Sequence, residues 1–500
     1  MRADFDAVVI GAGLGGLVAA NYLTKEGLRI LLLEQHSLPG GCCSSFTRES
    51  FIFDSGAHSL GSCRSGGEFG NIFKDLKLNG TSGLIIRKAI PSDIVITRDF
   101  TLTVRETLND NVIEFSHFFP EERQGIRRFF FEVYSCDVRA RSSLLTYVKK
   151  YQDRTFRQML DEYFRDERLK QVLCVFLGNV GLPSTHVSAL RAIVMLKEFI
   201  LDGGYYVVGG MHRLVERLAA DVVKRGGVLK YQTKVTKILV QNGGVDGIIL
   251  DSGEQVRAKV VISGASPSQT FGAMLGSEVT KTTFKAVEKL QARIRGLMPS
   301  VSAVVAYLGV KRNTDERILG RTIWYMPSYD ADQVYLDVFA GTPDLACRTF
   351  LAAFPSRFDE SLAPTGYECV NLFALAPYVN EAFWKSTKEQ LLTTLLDRAS
   401  HIIQDLRNRL VIQEMATPVT IRRYTLNDNG AMYGLASTLS QLHSHIMPQR
   451  TVIPGLYLAS HWATVGTGQG GTPMAAYAGR HAAKLALSYL EKVRGIHISV

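Results

Sequence analysis

The sequence lacks paired cysteines and every cysteine spacing that is typical of a metal site. Its cysteines are odd in number and scattered, with no C-x-x-C motif among them. Neither a disulfide framework nor a metal centre is therefore expected, and a reducing compartment such as the cytoplasm is the simpler environment. The seven are Cys42, Cys43, Cys63, Cys136, Cys174, Cys347 and Cys369.

Long apolar runs are absent too. A membrane-spanning helix needs about 18 or more predominantly apolar residues, and no uninterrupted run in the sequence reaches that length. Residues 1–6 lead directly into the first predicted core strand, which leaves no room for a signal peptide. We therefore expect a cytoplasmic protein that is either free in solution or peripherally bound to a membrane.

Charge of one sign is not concentrated in any segment. The formal net charge is +10, yet the basic residues are mixed with acids, as between residues 147 and 171, where seven Lys or Arg accompany five Asp or Glu. Such a mixture is typical of solvated helix faces. No nucleic-acid-binding motif is visible either, so nucleic acid is not an expected partner.

The order of apolar and turn segments indicates how the chain is organised. Five hundred residues are too many for one compact core, so two or three packed units are expected. Residues 7–10, 14–26 and 29–33 read as strand, helix and strand, which is a βαβ unit. Residues 228–263 read as three strand-like pieces, and the end of the chain returns to a strand, a glycine-rich loop and a helix. The two ends therefore look like halves of one domain.

A glycine-rich motif stands at the turn between the first strand and the first helix. Residues 11–16 (GAGLGG) fit the G-x-G-x-x-G pattern of dinucleotide-binding proteins, in which glycines allow a tight turn and close approach to a pyrophosphate. The helix start adds unpaired N–H groups. Glu34 ends the second strand, where its carboxylate accepts hydrogen bonds from a ribose and repels the 2′-phosphate of NADP. The residues expected to bind the dinucleotide are Gly11, Gly13, Leu14, Gly15, Gly16 and Glu34.

The alternative is a glycine-rich turn without a ligand. The strand before it, the helix after it and the carboxylate of Glu34 all disfavour that alternative. These features do not separate FAD from NAD.

The next segment resembles a known family. Residues 39–46 (PGGCCSSF) and 53–56 (FDSG) are similar to the continuation of the glycine motif in flavoproteins of the amine oxidase, phytoene desaturase and retinol saturase group. The Gly-Gly-Cys-Cys run is most similar to the retinol saturase and carotenoid isomerase branch. In that family this loop lies along the FAD pyrophosphate and ribityl chain, which implies contacts from Gly40, Gly41 and Cys42.

Two later segments are similar to the same family. Residues 209–211 (GGM) and 260–264 (VVISG) resemble its middle module, in which the residue equivalent to Val235 holds the adenine. Residues 453–459 (IPGLYLA) and the glycines that follow resemble its C-terminal flavin signature. His461 replaces the aspartate that is usual there, so it either substitutes as a donor or leaves that contact unmade. The further residues implied to bind FAD are Val235, Gly264, His461, Gly468, Thr472 and Pro473.

The last helix has a start signal of its own. Thr472 is a good N-cap and Pro473 suits the first turn, so a helix is predicted over residues 474–490. Its positive end would stabilise an anionic reduced flavin, by about 0.3–2 kcal/mol. An ordinary capped helix without that role is the alternative.

The resemblance implies an FAD-dependent oxidoreductase that acts on carbon–carbon bonds of a long apolar polyene, such as a carotenoid or a related isoprenoid. Desaturation, saturation and cis–trans isomerisation all suit the same motifs, because flavin N5 is the reacting atom in each. A catalytic acid or base is not assigned. His58 is close in sequence to the flavin loop and is the one candidate, with a hydrogen-bonded core histidine as the alternative.

Several weaker signals have an ordinary alternative. Residues 127–131 (RRFFF) are a candidate membrane contact, although such a run is more often a half-buried helix. His443 and His445 alternate as ligands on a strand would, but no third ligand is near, so no metal is expected. Two other functions stay open, namely a flavin amine oxidase on the same fold and a non-catalytic prenyl-binding protein similar to Rab escort proteins.

Together these features predict an α/β protein. We expect a Rossmann-like FAD-binding domain with an inserted α+β substrate domain and a helical, membrane-facing part. The expected ranges are 1–98, 205–269 and 435–500 for the FAD-binding domain, and 99–204 and 270–434 for the substrate-binding domain.

Overall fold

The computed structural model describes residues 4–79, 83–137, 140–275, 281–313, 322–442, 446–463 and 471–494. The strands in these residues are β1 (Phe5–Ile10), β2 (Ile30–Leu33), β3 (Ser45–Arg48), β4 (Phe51–Asp54), β5 (Ile86–Lys88), β6 (Asp93–Ile96), β7 (Thr101–Thr103), β8 (Tyr205–Val207), β9 (Val228–Lys230), β10 (Val235–Gln241), β11 (Gly244–Leu250), β12 (Gln255–Ser263), β13 (Ser302–Lys311), β14 (Thr322–Tyr325), β15 (Phe350–Ala353), β16 (Tyr367–Ala376), β17 (Leu410–Ala416) and β18 (Leu456–Leu458).

The α-helices are α1 (Leu14–Lys25), α2 (Glu68–Leu76), α3 (Leu108–Phe118), α4 (Arg123–Ser135), α5 (Arg141–Tyr151), α6 (Phe156–Tyr163), α7 (Glu167–Cys174), α8 (Ala189–Met195), α9 (His212–Lys224), α10 (Lys281–Arg295), α11 (Ala331–Phe339), α12 (Pro343–Ala346), α13 (Glu381–Ala399), α14 (Leu406–Arg409), α15 (Pro418–Thr425) and α16 (Gly471–Arg494). A π-helix over Leu196–Leu201 continues α8.

The first sheet confirms the predicted βαβ start of an α/β fold. Its strand order is β10-β11-β12-β1-β2-β9, with β18 added beside β12. β1 runs parallel to β2 and to β12, as expected when a helix connects β1 to β2. Ala7 and Val9 pack among the side chains of α1, α9 and α16, whereas Val8 and Ile10 pack on the side of β10 and β11. Burial on both faces explains why β1 reads as a continuous apolar run.

One strand boundary was predicted wrongly. Residues 228–263 form four strands and not three, because the first piece divides into β9, which pairs with β2, and β10, which pairs with β11. The chain turns at Gln232, where φ is +49°. Neither glycine nor proline marks this turn, so the usual sequence signal for it is missing.

The second sheet forms one wall of the molecule's interior. Its strand order is β17-β13-β16-β15-β14-β6-β7. Side chains of β13 alternate between two environments: Val304 and Ala306 belong to the core that includes α13, whereas Ala303, Val305 and Tyr307 line a central cavity. This period of two is that of a strand between a core and a cavity.

Helices α3 to α8 pack around a third core. Phe129 and Phe130 of α4 are buried in it, whereas Arg127 and Arg128 are exposed and Phe131 is 64% exposed. The aromatic run therefore belongs mainly to a helical core, and contact of this part with a membrane stays a prediction. Within the ranges described, no helix combines the length and the apolar character that crossing a bilayer requires.

The division into domains stays a proposal. β6 pairs with β14 of the second sheet, although residues 93–96 fall within the segment expected to belong to the FAD-binding domain. Strand pairing would place this boundary just before Asp93. The reason is the parallel pairing of two segments that lie far apart in the chain, which local sequence does not indicate.

Helices α1 and α16 approach each other backbone to backbone. A Cβ atom added at Gly479 would lie 2.2 Å from the carbonyl oxygen of Gly15, and one added at Gly15 would lie 2.0 Å from that of Ala459. Only glycine permits such distances. The glycine motif at the start of the chain is therefore packed directly against the last strand and the last helix.

We expect Gly479→Ala to lower the free energy of unfolding by about 1–3 kcal/mol, because the added methyl group overpacks this contact. Urea denaturation of the two proteins measures the difference. Gly272→Ala is the matched control, since that glycine is exposed and nothing lies within 4 Å of an added Cβ. Equal losses in the two variants would show that the helix contact is not as close as described.

Candidate functional site

A cavity of about 1610 Å³ is lined by residues of both seven-stranded sheets, the glycine loops and the helical layer. Motifs from the beginning, middle and end of the chain meet on its surface. Gly468 lies outside the described residues. The expected FAD-binding residues found on the lining are Gly11, Gly13, Leu14, Gly15, Gly16, Glu34, Gly40, Gly41, Cys42, Val235, Gly264, His461, Thr472 and Pro473.

Glu34 ties the glycine turn to the end of β2. Its Oε2 accepts a hydrogen bond from the backbone N–H of Ala12 at 2.8 Å, and its Oε1 accepts one from the N–H of His36 at 3.0 Å. Each carboxylate oxygen has a second lone pair, so the side chain can still accept hydrogen bonds from a ribose. The same bonds hold the turn in place.

The glycine turn leaves an open cradle. Gly13 has φ −70° and ψ 171°, which any residue can adopt, and nothing lies within 4 Å of a Cβ added there. The second glycine loop lies beside it, because the N–H of Gly40 donates to the carbonyl oxygen of Ala12 at 2.8 Å. The N-terminus of α1 opens on this cradle, as in anion sites at helix N-termini.

The start of α16 differs from the prediction. Thr472 was expected to cap the helix, but α16 begins at Gly471 and the Thr472 hydroxyl is buried without a hydrogen-bond partner among the described residues. The N-cap prediction was therefore wrong. Thr472 and Pro473 lie in the first turn and line the cavity. A buried hydroxyl without a partner on a cavity wall is suited to a bound polar group.

His461 is uncharged and can donate a hydrogen bond through Nδ1. Burial lowers its pKa to about 4. Its Nε2 lies 3.4 Å from Nδ2 of Asn427, while Trp462 Nε1 donates to Oδ1 of Asn427 at 2.9 Å. Because the tryptophan can only donate, the Asn427 amide nitrogen faces the histidine, and Nε2 accepts. The proton is then on Nδ1, which can donate to another group.

His58 and Cys42 also line the cavity. The ring of His58 lies 4.8 Å from that of Phe373, between centroids. The role of His58 as an acid or base stays a prediction.

Both Cys42 and Cys43 are free thiols, and burial raises the pKa of Cys42 to about 11. Cys42 is therefore uncharged at neutral pH.

Sequence reasoning missed the part of the cavity that the helical layer and the second sheet line, which we call the far half. Arg191, Val194, Met195, Glu198 and Phe199 line it from α8 and its π-helical continuation, with the spacing of a helix face. Arg191 had a sequence signal, because it is the single charge in the apolar run 189–196. Further lining residues come from segments with no motif, and they include Trp324, Tyr335, Leu351, Phe373 and Tyr433.

The metal prediction concerned two histidines. His443 and His445 lie outside the described residues. Among the residues that the structure does describe, no group of three or more His, Cys, Asp or Glu side chains is arranged to hold a metal ion.

The parallel strands of the first sheet and the glycine cradle beside them define a dinucleotide-binding protein. A family model described as flavin containing amine oxidoreductase matches residues 14–487, so the chain belongs to that family. The protein is an FAD-dependent oxidoreductase, and FAD is its cofactor. The open cradle at Gly13, the remaining lone pairs of Glu34 and the Thr472 hydroxyl, to which no described residue is hydrogen-bonded, fit this cofactor.

Three relatives match most of the chain at low identity. Prolycopene isomerase 2 of an Oncidium hybrid cultivar is 26% identical over 86% of this chain and 75% of its own. All-trans-retinol 13,14-reductase of Danio rerio is 23% identical over 91% and 82%. A neurosporene-forming phytoene desaturase of Cereibacter sphaeroides is 24% identical over 87% and 86%.

Solved structures confirm the fold. An oxidoreductase from Methanosarcina mazei has a TM-score of 0.69 and 20% identity, with 96% of this chain and 99% of that chain covered. Cyclohexylamine oxidase from Brevibacterium oxydans has a TM-score of 0.61 and 14% identity, with 98% and 100% covered. The predicted α/β architecture with a Rossmann-like FAD-binding part is therefore confirmed.

We expect Gly13→Ala to weaken FAD binding by about tenfold or more, equivalent to about 1.4 kcal/mol. The methyl group would project into the cradle, whereas alanine at this N-cap should cost the apo-protein no more than about 1 kcal/mol. The measurements are flavin released on denaturation and the affinity of the apo-protein for FAD. Gly272→Ala should retain all its flavin, and wild-type affinity in Gly13→Ala would show that FAD lies elsewhere.

A pH dependence follows from His461. Its pKa of about 4 lies below the usual value near 6.5. Between these two pH values the histidine is therefore protonated in the unfolded chain and neutral in the folded protein. This group therefore lowers stability as pH falls from about 6.5 to about 4, and has no effect above that window. His461→Gln should lose less stability than the wild type between pH 7 and pH 5 in urea denaturation. His212 and His481, whose pKa values burial also lowers, remain in both proteins. Parallel stability profiles would contradict this prediction.

Proposed function

We propose that the protein changes carbon–carbon bonds of a long apolar isoprenoid of the carotenoid kind. The observation that carries this proposal is the largely apolar far half of the cavity, which is continuous with the glycine cradle. Val194, Met195 and Leu351 are buried around it. Such a wall suits a substrate with few polar groups. The names of the relatives, which are prolycopene isomerase, all-trans-retinol 13,14-reductase and phytoene desaturase, support the same substrate class.

Residues of this chain would hold the cofactor in a defined order. Backbone groups around Gly13 and Gly40 would hold the pyrophosphate, Glu34 would accept hydrogen bonds from the ribose, and Val235 would hold the adenine. The first turn of α16 and the Nδ1–H of His461 would hold the flavin. When bound, FAD supplies hydride transfer. The protein's part is to place the apolar chain and to exclude water.

No side chain among the described residues indicates whether the reaction is isomerisation, saturation or desaturation. The three relatives named above cover isomerisation, saturation and desaturation. We propose that the class is redox chemistry or isomerisation of a carbon–carbon double bond, with His58 as the one acid or base candidate.

We also propose the domain division given above and a peripheral contact with a membrane on the cytoplasmic side. Exposed Arg127, Arg128 and Phe131 on α4 support the contact, because cations and an aromatic ring on one helix suit an anionic bilayer surface. Apolar substrates dissolve in bilayers, so a docked protein would take them up directly.

A flavin amine oxidase is the second candidate. The likeness to cyclohexylamine oxidase and the aromatic side chains of Trp324, Tyr335 and Tyr433 on the cavity wall favour it. The guanidinium of Arg191 on the same wall disfavours it, because a buried cation repels an ammonium group. A non-catalytic prenyl-binding role is disfavoured by the FAD cradle.

Anaerobic incubation with phytoene, prolycopene and retinol, with and without added dithionite, tests the proposal. Chromatography should show a change of double bonds in at least one polyene. In a parallel aerobic incubation with amines, where O2 is the oxidant, oxidation of an amine with release of peroxide would replace the proposed substrate class if no polyene is converted.

Val194→Phe should lower conversion of that polyene by about tenfold or more and leave FAD content unchanged, because it narrows the far half of the cavity away from the cradle. Conversion rate and bound flavin are measured on the same preparation. Val223→Phe is the control, since that side chain is 53% exposed on α9 and does not line the cavity. Unchanged conversion in Val194→Phe would show that the polyene does not enter this part of the protein.

A further inference from the structure

Arg191 is a buried cation in an apolar wall. It lies on α8, its residue is 6% exposed, and it lines the far half of the cavity with Val194 and Met195. Its Nε is buried without a hydrogen-bond partner in the described part of the chain. Burial lowers its pKa to about 10, which leaves it charged at neutral pH.

Glu198 is the nearest acidic residue on the same helix face, but its carboxylate does not neutralise the charge of Arg191. Glu198 lies two turns further along the same cavity-facing stripe, but its Oε1 pairs with Nη2 of Arg64 at 2.6 Å and its Oε2 accepts from Ser62 Oγ at 2.7 Å. Tyr433 is a titratable neighbour of Arg191, but burial raises the pKa of its hydroxyl, so it carries no compensating charge at neutral pH. Its hydroxyl donates to the carbonyl oxygen of Gly178 at 2.9 Å.

Two more donors on the lining are also without partners. Nδ2 of Asn179 and Oγ1 of Thr349 are buried, and the structure as described gives neither of them a hydrogen bond. They come from different elements, one at the end of the 3₁₀ turn after α7 and one just before β15. Buried donors left unpaired are costly, and a buried unpaired guanidinium is more so. Donors of this kind on a cavity wall suit an acceptor-rich, negatively charged ligand group.

We propose that Arg191 binds a carboxylate of the substrate, so that the substrate class is an isoprenoid acid: an apolar polyene chain that ends in a carboxylate. This inference rests on the proposed function, because it names the substrate of the same site. The apolar wall takes the chain, and the guanidinium takes the acid group. Asn179 and Thr349 supply further unpaired donors on the lining of the same cavity. A pure hydrocarbon would leave all three unpaired.

The test uses the FAD-loaded full chain and three probes that share one polyene chain: retinoic acid, its methyl ester and retinol. Binding is followed by the change in flavin absorbance. The wild type should bind the acid about tenfold or more tightly than the ester, the expected size of a charge-assisted contact. Arg191→Met should abolish this preference without weakening ester binding, and Arg191→Lys should keep part of it. Arg165→Met, at an exposed arginine that does not line the cavity, should keep all of it.

Equal binding of acid and ester by the wild type would overturn the inference, whatever the variants do. So would a preference that survives in Arg191→Met, or loss of FAD from both Arg191 variants, since Arg191 would then hold the cofactor. Oxidation of phenylalanine that depends on Arg191 would assign the carboxylate to an amino acid and overturn the isoprenoid class. An acid preference that depends on Arg191, in a protein that converts no polyene, would support this inference and remove the proposed reaction alone.

Discussion

The site depends on a contact between backbones from opposite ends of the chain. Gly15 at the start of α1 lies against the carbonyl oxygen of Ala459, and Gly479 of α16 lies against that of Gly15. A side chain at either glycine would push the helices apart. Because the N-termini of both helices line the same cavity, this contact also sets the distance between the two N-termini on the cavity wall.

On the proposed function, the cradle beside that contact binds the cofactor, and the far half of the cavity selects the substrate. The cradle is made of backbone groups and one carboxylate, Glu34, which the Ala12 and His36 amides hold in place. The far half is made of side chains from the helical layer and the second sheet. The relatives are named as an isomerase, a reductase and a desaturase, as expected where one fold supports several reactions.

The cradle was predictable from sequence because its residues are few, close together and required by backbone geometry. Dinucleotide binding explains both the glycines at positions 11, 13 and 16 and the carboxylate at the end of the next strand. Most of the far half was not predictable, because Trp324 and Tyr433 join Arg191, which had a sequence signal of its own, on the cavity lining only through tertiary packing. The turn at Gln232 and the start of α16 were missed for a third reason: residues without a strong local preference adopt the conformation that sheet pairing and packing impose.

Charge decides among substrates that the apolar wall alone would accept equally. A hydrocarbon, an amine and an acid of similar shape would bury similar apolar area, so the hydrophobic effect separates them little. The guanidinium of Arg191 separates them strongly, since a hydrocarbon leaves it unpaired, an ammonium group repels it and a carboxylate pairs with it. A site with buried donors rejects the ligand that lacks the matching acceptor more strongly than it rejects a change of chain length. For the proposed substrate, the polar end and not the polyene chain is therefore where this cavity would be most selective.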